Sequence, residues 1–302
     1  MPNYDDVLFR QEKTAAQEQN AEYVYDPETY KDGKQQERDA IYGMIDDTAL
    51  SLTAPEKLKE YLDIQSRFDL YRPGNVLLLQ AQMPTATRLK SYEDWRAIGA
   101  GVRKNQHAVS ILKSGRQYTR EDGTIGQYTD IKKVFDISQT FRAKPVKTPT
   151  HPEGRALLKA LMSKSPVPAE AADNLPEGVG AFYDPETNKI YVRPGMDAPD
   201  IFRCLSAEMA QASLARSMGG DYSRDKAGFP AYCASYVLCR QHGVDVKGFN
   251  FENAQQALSG REPKEIRAEL SHVREAAGEI GGRMKQAIQQ QQRAARDEQE
   301  GR

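Results

Sequence analysis

Cysteine is scarce in this sequence, with three residues in 302, at positions 204, 233 and 239. An odd, small number makes no disulfide framework, and no C-x-x-C pair is present to hold zinc, so Cys204, Cys233 and Cys239 read as small buried hydrophobes. Long apolar runs are missing too. The longest, such as VLLL at 76–79 and SYVLC at 235–239, fall far short of the roughly 20 residues that cross a bilayer. The opening MPNYDDVLFRQEK has no basic stretch leading into an apolar one, so no signal peptide and no membrane partner are expected, and a reducing cytoplasm is the expected location. The four histidines, at 107, 151, 242 and 272, are scattered, and nothing pairs one with a cysteine as a nucleophilic dyad requires. GAGVRKN at 99–105 lacks both a preceding strand and a Gly-Lys-Ser/Thr ending, which excludes a phosphate loop and nucleotide hydrolysis through it. No internal repeat is visible.

What is there is an uneven distribution of charge around a net −1. Residues 1–60 carry 7 Lys/Arg against 14 Asp/Glu, a balance of −7; residues 61–142 carry 13 against 8, a balance of +5. The remainder is close to neutral, so a polyanion would land on the middle segment. The periodicity predicts an α+β protein of two domains. Residues 1–39 read as an acidic, loosely ordered lead-in. Residues 40–142 read as a first α+β domain, with helices over about 38–52, 55–68, 72–82 and 91–102, the last capped by Ser91. The pattern then turns to period two, AVSILKSG at 108–115 and KKVFDISQT at 132–140, a hairpin with a polar tip at 119–126. A Pro/Lys/Thr linker spans 143–154. The second domain, 155–250, carries a short helix (155–164), a hairpin in GVGAFYDPETNKIYVRP, and apolar helices over 200–217 and about 228–242. Residues 251–302 form an amphipathic helix, over about 262–290, and a polar tail; that helix either packs on the second domain or serves dimerisation.

CLSAEMAQA, residues 204–212, places Glu208 where the H-E-x-x-H helix of a zinc peptidase carries its general base. That helix needs histidines one turn apart on one face so that both reach one metal, and Ala207 and Gln211 stand at those two positions. Alanine has no donor atom, and glutamine is a poor ligand beside imidazole. Without a metal there is no activated water for Glu208 to deprotonate, which leaves it as a helix carboxylate bonded to a neighbour or facing solvent.

Two stretches together resemble a known family. RFDLYRPGNVLLLQAQMPTATRLKSYEDWRAIGAGVRKNQHAVSILK (67–113) with VFDISQT (134–140) is similar to the N-terminal single-stranded-DNA-binding domain of the ArdC-type antirestriction proteins of mobile elements. The shared features are the Asn before an aliphatic run, the Gln then Pro that close that helix, the aromatic-then-Trp helix, the G-x-x-V-[RK]-K turn and the F-D-[IV]-S-Q-T strand. The family usually continues V-K-K-G-E-K, where this sequence has Asn105, Gln106 and His107 after Lys104. Residues 179–245 resemble the family's zinc metallopeptidase-like (zincin) module, in which a later helix supplies a third ligand; over AYCASYVLCRQHGVD (231–245) that place is taken by Tyr232.

The resemblance implies a single-stranded-DNA face built from Arg67, Tyr71, Arg72, Asn75, Tyr92, Trp95, Arg96, Arg103, Lys104 and His107, with Arg88, Lys90 and Phe135 nearby. Cations would track phosphates and aromatics would stack bases. Several carry a bland alternative where the residues alone are read: the cations as an ordinary solvated set, Trp95 as core, and Asn75 as a helix cap. The resemblance further implies a degenerate peptidase module with no enzymatic activity, no cofactor and no metal, its former site marked by Ala207, Glu208, Gln211 and Tyr232. The role implied is antirestriction or protection of mobile-element DNA, as during conjugation. Two other readings stay open: a pseudo-peptidase adaptor that binds a host or element-encoded protein by strand addition at its hairpin, and an atypical metal enzyme with a Cys/Glu site.

Overall fold

The structure, a computed structural model, describes residues 27–119, 125–145 and 151–300. Most of the acidic lead-in (1–26), the hairpin tip at 120–124, linker residues 146–150 and the last two residues lie outside the described residues. In chain order the first elements are α1 (Pro27–Ser51), α2 (Pro55–Arg67), α3 (Pro73–Gln82), β1 (Leu89–Lys90), α4 (Tyr92–Ala97), β2 (Gly101–Val102), β3 (Val109–Thr119), β4 (Ile125–Asp136) and β5 (Thr140–Phe141). They are followed by α5 (Gly154–Met162), β6 (Ala169–Ala171), β7 (Ala181–Asp184), β8 (Lys189–Val192), α6 (Ala198–Met218), α7 (Arg224–His242), α8 (Ala254–Leu258) and α9 (Pro263–Glu300). Mixed helix and small sheets agree with the α+β expectation.

The chain separates into two compact units. The N-terminal unit holds α1 and the chain from Gly74 through β5. Its sheet has the order β1-β4-β3, with the β3–β4 hairpin antiparallel from Val109↔Val134 onward and a bulge between Ser114 and Gln117. A second, two-stranded ribbon pairs β2 with β5, Gly101 opposite Phe141. The core is built by Ile41 and Ile45 of α1, by the whole run Val76–Leu79 of α3, and by Trp95, Val109 and Val134. α1 starts eleven residues before the expected Arg38, at Pro27, so residues 27–39 of the lead-in are helical. Asp32 and Asp39 there are exposed and Glu37 pairs with Lys133 at 2.9 Å, so these acidic side chains do not oppose the helix.

The C-terminal unit holds Leu52–Pro73 and the chain from residue 151 onward. This divides the chain differently from the 40–142 expectation. α2 buries Leu58, Tyr61, Leu62 and Ile64 and packs on α7 and α8. Its Asp63 is held by the Tyr236 hydroxyl and the Arg240 guanidinium, both at 2.8 Å. Sequence adjacency placed α2 with its neighbours; its apolar face belongs elsewhere. A three-stranded sheet, order β6-β8-β7, joins the expected hairpin to a short parallel strand, β6, that periodicity did not show. α7 begins at Arg224, four residues ahead of the expectation, because Ser223 accepts the Lys226 N–H as N-cap; Pro230 lies inside the helix, where it donates no backbone hydrogen bond. α9 runs to Glu300 and lays Ile266, Leu270, Val273, Ala277, Ile280 and Met284, all buried, against α5, α6 and α7. Its apolar face is therefore covered within its own chain. Among the described residues, no helix is long and apolar enough to cross a membrane.

Candidate functional site

In the N-terminal unit, the residues that make the sequence distinctive mostly turn inward. The Asn75 carboxamide accepts the Leu112 N–H (2.7 Å) and donates to the Leu112 carbonyl (2.8 Å). Two turns later on α3, Gln82 does the same to Ser110, accepting its N–H at 2.8 Å and donating to its carbonyl at 3.0 Å. Ser110 and Leu112 alternate along β3, the outer strand of its sheet, so two side chains supply the hydrogen bonds a further strand would make. Asn75 is thus a sheet-edge cap, neither a helix cap nor free to contact a base.

The F-D-I-S-Q-T stretch is not a continuous strand. β4 stops at Asp136, whose carboxylate accepts three backbone N–H groups: Thr87 (2.7 Å), Arg88 (2.8 Å) and Ser138 (2.9 Å). Burial alone would raise its carboxyl, yet those three donors outweigh it and hold the group below the usual carboxylate range. Gln139 accepts from the Asp136 N–H (2.8 Å) and donates to the His107 carbonyl (2.7 Å), closing the turn that precedes β5. Trp95 is fully buried, its indole N–H donating to the Phe135 carbonyl at 2.9 Å and the Arg88 guanidinium 5.3 Å from its ring centre. The stacking role expected as one reading of Trp95 is therefore corrected: its ring has no open face.

What remains outside is a compact stretch of sequence with cations and exposed rings. Tyr92 is 46% exposed, with Arg96 5.9 Å from its ring centre. Phe141 is 47% exposed and its ring lies over Gly101, where an added Cβ would stand 2.4 Å from Cζ. Arg142 follows, 5.8 Å from the Phe141 ring centre, with φ +61°, a left-handed conformation rare for arginine. Arg103, Lys104 and His107 are exposed on the loop after β2, and the Arg103 guanidinium donates to the Ser138 carbonyl at 2.9 Å. α4 packs on β2, and β2 pairs with β5, so these residues stand on adjoining elements. Phe141 and Arg142 were missed in the sequence because the recognisable motif ends at Thr140; Gly101 opposite them was the available signal. Arg67, Tyr71 and Arg72, also expected on this face, belong to the C-terminal unit, where Tyr71 is half-buried against Phe68 with ring centres 5.2 Å apart.

In the C-terminal unit, Glu208 is buried in α6 and fully engaged. Its carboxylate accepts the Tyr183 N–H at 2.7 Å and grips Arg224 through both oxygens, at 2.7 and 2.9 Å. That guanidinium stacks 4.4 Å from the Phe182 ring centre. Burial alone would depress the guanidinium's pKa, but the Glu208 carboxylate outweighs it and holds the group above its ordinary value. Gln211, buried one turn on, accepts from the Tyr222 hydroxyl (3.1 Å). The Tyr232 hydroxyl accepts the Asn250 N–H at 2.8 Å, and its ring packs on Phe249 and Phe251. Ala207 contributes no polar atom to this centre. Among the described residues no three His, Cys, Asp or Glu side chains form a group that could hold a metal ion. Nor is Cys204 primed as a thiolate, since burial pushes its thiol up.

The comparison with protein families matches residues 31–147 to the N-terminal domain of anti-restriction factor ArdC. Over those residues the chain is similar to that domain. No curated protein matches it. Among solved structures it is similar to the antirestriction ArdC protein from plasmid R388. The Mn(II)-bound structure gives a TM-score of 0.52 at 17% identity, covering 71% of this chain and 85% of that one. The metal-free structure gives 0.49 at 18% identity, covering 72% and 86%. At such identity the likeness to the Mn(II)-bound structure is one of fold.

Proposed function

We propose that this ArdC-like protein binds single-stranded DNA through its N-terminal unit and serves as an antirestriction or DNA-protection accessory of a mobile element. The observation that carries the reading is the pairing of exposed rings with guanidinium groups: Phe141 with Arg142 and Tyr92 with Arg96, beside Arg103 and Lys104. Every base has a face to stack, and every phosphate a charge to neutralise, so such a surface holds unpaired strands with little preference for sequence. The residues behind it, Asn75, Gln82, Asp136 and Gln139, fix the backbone that presents it.

The second part of the proposal is that the C-terminal unit is a zincin-like fold without peptidase activity. The R388 protein is described with Mn(II) bound. The residues here do not fit such an ion: Ala207, Gln211 and Tyr232 bring no basic or anionic donor, and the Glu208 carboxylate is held by Arg224. The adaptor reading loses support at the hairpin edge. Arg193 donates to the Gly180 carbonyl and the strands pair Phe182↔Tyr191, which turns the backbone of Tyr183 outward from β8. That N–H is taken by Glu208, and its carbonyl accepts from Arg224 at 3.4 Å. A strand added along β7 would have to displace both.

The deciding experiment is a fluorescence-anisotropy titration with a mixed-sequence oligonucleotide of roughly 20–30 bases, single-stranded beside double-stranded, at two salt concentrations. Binding to the single strand that weakens steeply with salt supports the reading; a chain indifferent to oligonucleotides ends it.

A further inference from the structure

The C-terminal unit contains a cleft of about 590 Å³ that the reading above does not use. It opens between the first turns of α7, at Gly228, Phe229 and Tyr232, and the segment 250–257 that includes α8. Its volume lies in the range of roughly 300–1,000 Å³ typical of small-molecule sites. Three aromatic rings line it: Phe229, Tyr232 and the buried Phe251. Tyr232 and Phe251 are locked edge to face, 5.6 Å between centres, and the Tyr232 hydroxyl is spent on the Asn250 N–H. Asn253 and Gln256 also line the cleft, and the carboxamide of neither is engaged by another side chain or backbone group among the described residues. The Asn250 carboxamide, by contrast, is committed to Glu252.

No lining residue carries a charge. A phosphate or carboxylate would find no counter-ion among the lining residues, and the Glu252 carboxylate beside Asn250 is already taken by that residue's carboxamide. The lining suits a ligand that is flat, uncharged and edged with paired donors and acceptors. A carboxamide presents one donor and one acceptor side by side, the complement of the adenine N6/N7 edge. Aromatic rings supply the faces on which a base stacks. We infer that this cleft is a nucleobase site that takes an unpaired purine, adenine by preference, between the Phe229–Tyr232 wall and the Asn253 and Gln256 carboxamides. It shares no residue with the proposed N-terminal interface and needs no phosphate contact.

The test uses the full chain and 8-vinyl-2′-deoxyadenosine, an uncharged fluorescent nucleoside that keeps the adenine N6/N7 edge and whose fluorescence falls when it stacks. Saturable quenching, reversed by deoxyadenosine, is expected. Asn253→Ala with Gln256→Ala, both on exposed positions, should weaken it at least ten-fold without changing the thermal midpoint, and Phe229→Ala should weaken it similarly. Arg103→Ala with Lys104→Ala should leave nucleoside binding unchanged while reducing oligonucleotide binding, so failure of one site is distinguishable from failure of the other. Absence of saturable quenching up to the solubility limit overturns the inference, as does quenching indifferent to all three cleft substitutions. Displacement of the probe by a blocked uncharged tripeptide but not by deoxyadenosine also overturns it, since the cleft would then be a peptide site.

Discussion

The two units treat their polar residues in opposite ways. In the N-terminal unit, Asn75, Gln82, Asp136 and Gln139 are spent on backbone groups, and the result is a rigid frame from which Tyr92, Arg103, Phe141 and Arg142 face solvent. In the C-terminal unit, internal hydrogen bonds occupy Glu208, Gln211 and Tyr232, the positions proposed for a former metal centre. On the proposed function, inward-turned polar groups would build a site in one case and fill one in the other. The difference lies in what they bond. Backbone N–H and carbonyl groups at a sheet edge or turn must be satisfied somewhere, so satisfying them frees the surface. A carboxylate bound to a guanidinium has instead committed the lone pairs that its chemistry would use.

Several substitutions sharpen this contrast. The largest effect is expected at Trp95: Trp95→Ala removes the biggest buried side chain of the N-terminal unit and should destabilise it by about 3–5 kcal/mol, read by chemical denaturation. If the variant keeps its stability and loses only DNA binding, the core assignment is wrong. Next is Asp136→Asn. A carboxyl held below its unfolded value of 3.8 contributes stability at higher pH that is lost as pH falls through the folded value, so the N-terminal unit should weaken below about pH 4. The Asn variant should be less stable at neutral pH and should lose that acid limb, measured as denaturation midpoint against pH. Glu208→Ala leaves the buried Tyr183 N–H without its acceptor and should cost the C-terminal unit about 2 kcal/mol, with oligonucleotide binding unchanged. A binding loss at unchanged stability would place Glu208 in the DNA site.

The surface changes are smaller in stability and larger in function. Phe141→Ala should cost about 1–3 kcal/mol of single-strand affinity by anisotropy, with little change in unfolding midpoint. Arg103→Ala with Lys104→Ala should lower the slope of log affinity against log salt by about two, one for each phosphate left without its cation. An unchanged slope would remove these two residues from the interface.

Much of the helical order could be read in the sequence. The Leu58, Tyr61, Leu62, Gln65 spacing gave α2 within a residue, and Ser91 caps α4 by accepting the Asp94 N–H at 3.1 Å. The family resemblance also pointed to the stretch that the family model matches, residues 31–147. The roles of those motif residues were not legible. Asn75 and Gln82 sit on a helix, and nothing in their spacing reveals that β3, about thirty residues away, needs two carboxamides along its edge. Trp95 carries the same periodicity whether its helix face is covered or open. Arg224 lies 16 residues from Glu208, and no local pattern joins them.

The sequence by itself determined the local elements, because helical and strand periodicities and caps act over a few residues and answer only to nearby side chains. It also determined that Ala207 brings no metal-binding atom, since donor chemistry belongs to the residue. Tertiary structure alone decided which polar groups are consumed and which remain available, and with which unit α2 packs. Burial and hydrogen-bond satisfaction depend on partners distant in the chain, and only the folded arrangement brings those partners within three ångströms of one another.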